Sequence, residues 1–227
     1  MSNVEWARLL EHPAIWRGRS VARTESLATG FAALDARLPG GGWPRSALIE
    51  ILVARFGVGE LYLLLPVLAT LTSGSTARWS AWIAPPLEPY APALAAHGIS
   101  LPHVLIVRAD PVHRLRSTPK SSNRSGRSGV STSDPTLWAF EQALGSGACD
   151  AAMAWLRRPR AQAIRRLQLA AERGRALGVL FRPFSAARES SHASLRIALE
   201  PVTGGIRATI LKSRGGLPGS VDIATGD

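Results

Sequence analysis

Val53-Ala54-Arg55-Phe56-Gly57-Val58-Gly59-Glu60-Leu61 follows the β-rich run Ala47 to Val53 and leads into an apolar run from Glu60 to about Leu71. A strand, a glycine-containing turn and a helix are the parts of a phosphate-binding loop. In such a loop backbone N–H groups and a helix N-terminus cradle the anion, a lysine reaches the outer phosphates and a hydroxyl holds Mg²⁺. The pattern for that chemistry is G-x-x-x-x-G-K-[ST]. In this chain the lysine position is Glu60, an anion opposed to phosphate, and the hydroxyl position is Leu61. Arg55 is the nearby cation, because the two lysines, Lys120 and Lys212, are remote in sequence. The loop formed by Arg55, Gly57, Gly59, Glu60 and Leu61 therefore reads as degenerate for ATP.

Other chemistries find less support. The five histidines are scattered without ligand spacing, and no metal is expected. A single cysteine, Cys149, builds neither an intrachain disulfide nor a thiolate metal site, so a cytoplasmic chain is the expectation. Serine, histidine and aspartate are present without a nucleophile–base spacing. The longest apolar run, Leu61 to Leu71, is shorter than the ~20 residues of a membrane span. With 227 residues, 46% hydrophobic and 19% charged, the chain has material for one core and is not wholly disordered.

The net charge of +11 is unevenly placed. Residues 154–188 carry nine arginines against Glu172, and residues 111–133 carry four arginines and Lys120 with no acid. Local basicity of this kind suits nucleic acid or an acidic partner, and equally a solvated arginine face.

The elements that must position these groups alternate. A short helix is expected over 2–10 with Trp6 on its apolar side, and His12-Pro13 ends it. Buried strands are expected at 47–53, 79–83, 104–108, 151–156 and 177–181, with helices at 60–71, 89–97, 135–144 and 160–173 between them. Gly174 is the expected stop of the last helix. Strands at 195–199 and 206–211 are expected to pair antiparallel about Gly204-Gly205. Residues 117–134 are low-complexity and expected to be a disordered loop, and the tail after Gly215 is expected to be frayed. The pattern is an α/β domain with a mainly parallel sheet. Its organisation is an N-terminal helical segment over 1–26, a core over 27–214 and a flexible tail over 215–227.

Over roughly 27–214 the chain resembles the RecA-like ATPase family. Thr29-Gly30, Leu34-Asp35, Gly40-Gly41-Gly42, Pro44 and Ile49-Glu50-Ile51 look like the entry to that core. Gln162 to Leu167 and Ile210 to Arg214 resemble its later elements. The resemblance implies a RecA-like P-loop core, and it locates the losses. The family's catalytic Glu falls on Ala84-Pro85-Pro86, its Mg²⁺-organising Asp on Trp155-Leu156-Arg157, and its phosphate-sensing Gln on Arg182-Pro183. Lysine, hydroxyl, general base, metal carboxylate and sensor are all replaced, which implies no ATP hydrolysis and no cofactor. Within the family, Glu50-Ile51-Leu52, Gly57 to Leu61, Leu64-Leu65-Pro66 and Leu211 to Gly216 look like the SOS-mutagenesis accessory proteins of the ImuA type, which are related to the cell-division inhibitors of the SulA type.

That likeness implies a non-catalytic adaptor in error-prone translesion synthesis. Its implied partners are the polymerase-like protein ImuB, an error-prone replicative-type polymerase, single-stranded or primer-template DNA, and RecA. The alternative is a SulA-like inhibitor that binds FtsZ. The family's two DNA-binding loops match Arg157-Arg158-Pro159-Arg160 and the stretch from Arg182 to about His192 with Arg188; Lys212 and Arg214 join them as candidates. Guanidinium groups suit phosphate geometry, and the same arginines suit an acidic protein or a solvated rim. Arg165 and Arg166 read as a solvated helix face. Trp43, Trp79, Trp82 and Trp155 read mostly as core, with Trp6 and Trp138 as candidate partner anchors.

Overall fold

Seven consecutive buried residues in Ala47–Val53 and seven in Cys149–Trp155 mark strands covered on both faces, as parallel strands flanked by helices must be. The computed structural model describes residues 25–57, 59–108, 134–216 and 218–225. The described strands are β1 (Ser26–Leu27), β2 (Trp43–Pro44), β3 (Ala47–Val53), β4 (Trp79–Ile83), β5 (Val104–Val107), β6 (Cys149–Trp155), β7 (Leu177–Pro183), β8 (Leu195–Val202), β9 (Gly205–Ser213) and β10 (Gly219–Ala224). The helices are α1 (Ala32–Asp35), α2 (Leu65–Thr72), α3 (Ala91–Ala96), α4 (Pro135–Gly145) and α5 (Ala161–Gly174).

The main sheet has eight strands in the order β10-β9-β8-β3-β7-β6-β4-β5. Pairing is parallel from β8 through β5 and antiparallel where β9 and β10 are added. Period-2 alternation sends Ile49, Ile51 and Val53 to the face packed by Leu64, Leu68 and Leu94 from the segments around α2 and α3. Leu48, Ala152, Ala154 and Leu180 go to the other face, against Phe140 and Leu144 of α4 and Ile164 and Leu167 of α5. The fold is thus mixed α/β with a large, mostly parallel sheet.

Four expectations change. The helix expected from Glu60 begins as an α-helix only at Leu65, after a 3₁₀ turn over Tyr62–Leu64. Pro66 explains the late start: it is tolerated in a first helical turn, while deeper in a helix its ring meets the carbonyl four residues back. Gly174 does not stop α5; it lies inside it, and Arg175 takes the left-handed conformation at φ 56°. A Cβ on Gly174 would come within 1.9 Å of the Leu144 carbonyl oxygen, so close approach of α4 to α5 selects the glycine. Gly174→Ala is expected to cost about 1–3 kcal/mol, read from urea unfolding.

The tail after Gly215 is not frayed throughout. Val221 and Ile223 are buried on one side of β10, between exposed Ser220 and Asp222. Arg207 of β9 donates to both Asp222 oxygens at 2.6 and 2.8 Å, and holds that carboxyl below the usual carboxylate range. Asp134, placed at the end of the low-complexity loop, caps α4 by accepting from the Thr136 N–H. The helix expected over 2–10, Trp6 and residues 117–133 lie outside the described residues.

Candidate functional site

Parallel pairing brings the C-terminal ends of β3, β4, β6 and β7 to one edge of the sheet, the edge where ligands of open α/β sheets bind. The degenerate loop lies there. Gly57 and Gly59 take φ of 84° and 98°. The carboxylate of Glu60, a buried side chain, turns back onto the loop: both its oxygens accept from the Gly57 N–H, at 2.8 and 3.0 Å. The loop's own anion therefore takes a backbone donor that a phosphate would need. The helix that should aim its N-terminus at the anion starts five residues later, at Leu65. Leu61 is half-buried against the core, and Arg55 is exposed.

Beside this loop is a cavity of about 270 Å³ whose walls include Glu60, Trp82, Trp155, Leu87 and Tyr90. Trp82 is fully buried and donates its indole N–H to Ser80 Oγ at 2.9 Å. Trp155 stacks on Phe181 at 4.7 Å. The outer wall is Pro85-Pro86-Leu87-Glu88-Pro89-Tyr90, entered through Ala84 at φ 50°. From that wall Leu87 and Tyr90 project into solvent, 67% and 71% exposed. The position matched to the catalytic Glu is thus an apolar wall.

The arginine candidates separate into two groups. Arg157, Arg158 and Arg160 are exposed between β6 and α5, and Arg188 is exposed after β7. Arg182 is not a surface residue: it is fully buried, and this corrects its placement in a DNA-contacting loop. One of its nitrogens donates to Glu50 Oε1 at 3.2 Å and another to Glu189 Oε2 at 2.6 Å. Glu50, also fully buried, accepts from Arg196 Nε at 2.6 Å and from Ser191 Oγ at 3.0 Å.

Arg196 continues to the carbonyls of Ala186 and Glu189, at 2.7 and 2.8 Å. Lys212 donates to the carbonyls of Ser191 and Ala193, at 2.6 and 2.8 Å, and is likewise occupied in holding this crossover. Burial and then the charges of Arg214 and Arg196 push its ammonium pKa down. Arg214 is exposed, but it follows Ser213, which pairs with Leu195 at the start of β8. It therefore sits at the opposite edge of the sheet from Arg157.

Sequence reasoning missed this buried network. Its one signal was a charge inside each of two otherwise apolar strands, Glu50 in β3 and Arg196 in β8. Trp138 is 56% exposed on α4, and Trp79, assigned to core, is 44% exposed. Arg166 pairs with Glu141 across the two helices. Changing Arg157, Arg158 and Arg160 together to Ala is expected to move stability by no more than about 0.5 kcal/mol, measured by urea unfolding, because none of the three is part of the network.

No protein-family model matches the chain. It is 30% identical over 134 residues to the cell division inhibitor SulA of Photorhabdus laumondii. That match covers 59% of this chain and 63% of the relative, so the chain spans about three-fifths of the length of the curated protein it matches. Among solved structures, SulA from Pseudomonas aeruginosa aligns with a TM-score of 0.42 and 24% identity, over 60% of this chain and 97% of that one. Among the described residues no helix is long and apolar enough to cross a membrane, and no group of three or more His, Cys, Asp or Glu side chains is placed to hold a metal.

Proposed function

We propose that this protein is a non-enzymatic member of the SOS-associated, SulA-like group, built on a degenerate RecA-like core, and that it acts by docking on another protein. The observation that carries this reading is the Glu60 carboxylate on the Gly57 N–H. A phosphate approaching that loop meets a buried anion in its place, without the helix N-terminus that would attract it. The strand–loop placement at the C-terminal edge supports a RecA-like ancestry, and the side chains there support the loss of nucleotide chemistry.

The relative named as a cell division inhibitor favours the SulA-like task, for which the family resemblance implies the tubulin-like protein FtsZ as partner. A second reading is the ImuA-type adaptor that joins ImuB, an error-prone polymerase and RecA. The exposed cluster Arg157, Arg158 and Arg160 favours it, since a basic edge suits a complex that works on DNA. Of the proposed DNA-contacting residues these three and Arg188 remain on the C-terminal edge.

The test is paired co-purification of the tagged 227-residue chain with FtsZ and with ImuB, together with ATP hydrolysis against a protein-free control. The expected result is retention of one partner and no hydrolysis above the control. Retention of FtsZ alone selects the inhibitor, and retention of ImuB alone selects the adaptor. Hydrolysis that depends on Gly59 would overturn the non-enzymatic reading.

A further inference from the structure

The cavity beside the degenerate loop adjoins no intact nucleotide-binding chemistry, and its character is that of a receptor. Its walls are indole, proline and leucine. At its mouth two large side chains, Leu87 and Tyr90, stand mostly in water, on a stretch where three prolines hold φ near −65° and restrict the backbone. Rigid, exposed apolar groups around a preformed hollow are what an interface core looks like before its partner arrives.

The charged residues of the lining are Glu60 and Glu88, and exposed arginines follow two of the strands that end beside the hollow. Arg55 follows β3 two residues before Gly57, and Arg157, Arg158 and Arg160 follow Trp155 of β6. All four are exposed, and none is ion-paired among the described residues. Of the acids on this edge, Glu200 at the end of the β8–β3 pairing is exposed, and three others are engaged. Glu60 is on the Gly57 N–H, Glu88 is paired with Arg108 at 2.7 Å, and Glu189 is paired with Arg182.

We infer that this cavity and the arginines that follow β3 and β6 form a docking site for an acidic protein segment, one that places a leucine or phenylalanine against Leu87 and Tyr90 and its carboxylates on Arg55, Arg157, Arg158 and Arg160. The inference rests on the non-enzymatic docking reading and deepens it, because the vacated ligand edge becomes the partner's seat. Single-stranded nucleic acid fits less well. It needs exposed aromatic faces for stacking, whereas Trp82 and Trp155 are buried and the exposed wall is mostly aliphatic.

Fluorescence anisotropy with the 227-residue chain tests the site. The probe is a labelled dodecapeptide with Leu-Phe between aspartates and glutamates. Its controls are the same peptide with asparagine and glutamine for the acids, and labelled oligo-dT. The acidic peptide is expected to bind at least about tenfold more tightly than the neutral one at low salt, with the difference shrinking as salt rises. Leu87→Glu with Tyr90→Ala, and separately Arg157→Glu with Arg158→Glu, are each expected to weaken it by about tenfold or more at an unchanged urea midpoint. All four side chains are exposed.

Equal binding of both peptides, no effect of either variant, or tighter oligo-dT binding with the same sensitivity to the variants overturns the proposal. Co-purification separates the two levels. If the variants retain FtsZ or ImuB as well as the parent protein does, the site assignment falls and the docking reading stands. If the parent retains neither and hydrolyses ATP, the docking reading falls and the site with it.

Discussion

Glu50→Ala is expected to destabilise the protein by about 3–5 kcal/mol. Arg182 and Arg196 both direct guanidinium nitrogens at this one carboxylate, and Glu50 and Arg182 are fully removed from solvent. Among the described residues, removing it leaves Arg196 without a carboxylate partner and Arg182 with Glu189, a half-exposed acid. The effect reaches beyond the pair, because Ser191 also donates to Glu50 and Arg196 ties down the carbonyls of Ala186 and Glu189. Urea unfolding should show a lower midpoint with an unchanged slope.

An apolar triple replacement, Glu50→Leu with Arg182→Met and Arg196→Met, is expected to recover only part of the loss. In some proteins such swaps are neutral or stabilising. Here methionine at 196 takes the Arg196 donor from the Glu189 carbonyl, while the Ala186 carbonyl keeps the Glu189 N–H at 3.0 Å; an unsatisfied group costs about 1–3 kcal/mol. Full recovery would show that the network contributes nothing the apolar residues do not. A loss under about 1 kcal/mol for Glu50→Ala alone would contradict the picture of two arginines held by one buried acid.

Trp82→Ala is the second large expected effect, about 3–5 kcal/mol. The indole is fully buried on β4, at the floor of the cavity, and its N–H is satisfied by Ser80 Oγ. Truncation removes its packing within the core of that face, beside Ile106 of β5 and Met153 of β6, and joins the void to the existing hollow. Thermal or urea unfolding measures the cost. Trp82→Phe keeps most of the volume and is expected to recover more than half of it. Because Trp82 forms the floor and Leu87 the wall, the two variants separate stability from docking: the first lowers both, and Leu87→Glu lowers docking alone.

Much of the secondary structure was legible in local sequence. Ala47 to Val53, Trp79 to Ile83 and Leu177 to Phe181 are apolar runs bounded by turn residues, and each is a strand. The hairpin of β8 and β9 turns at Gly204, which takes φ 76°, as the glycine pair foretold. What failed was the short or interrupted signal. β10 has only Val221 and Ile223 to show, among glycine, serine and proline, and it becomes a strand because β9 supplies a free edge and Arg207 an ion pair. The start of α2 failed because an apolar run does not distinguish a 3₁₀ turn from an α-helix, whereas Pro66 does.

The site divides in the same way. That Glu60 and Leu61 stand where a phosphate-binding loop would need a lysine and a hydroxyl, and that arginines crowd the stretch from 157 to 160, is readable without coordinates. The tertiary structure decided where each charge ends up. Arg182 and Arg157 look alike in sequence, each following a strand. One is buried against Glu50, 132 residues away, and the other stands in solvent. Burial and pairing depend on which strands become neighbours. Sheet order, set by the packing of every apolar face at once, is not written in any local run of residues.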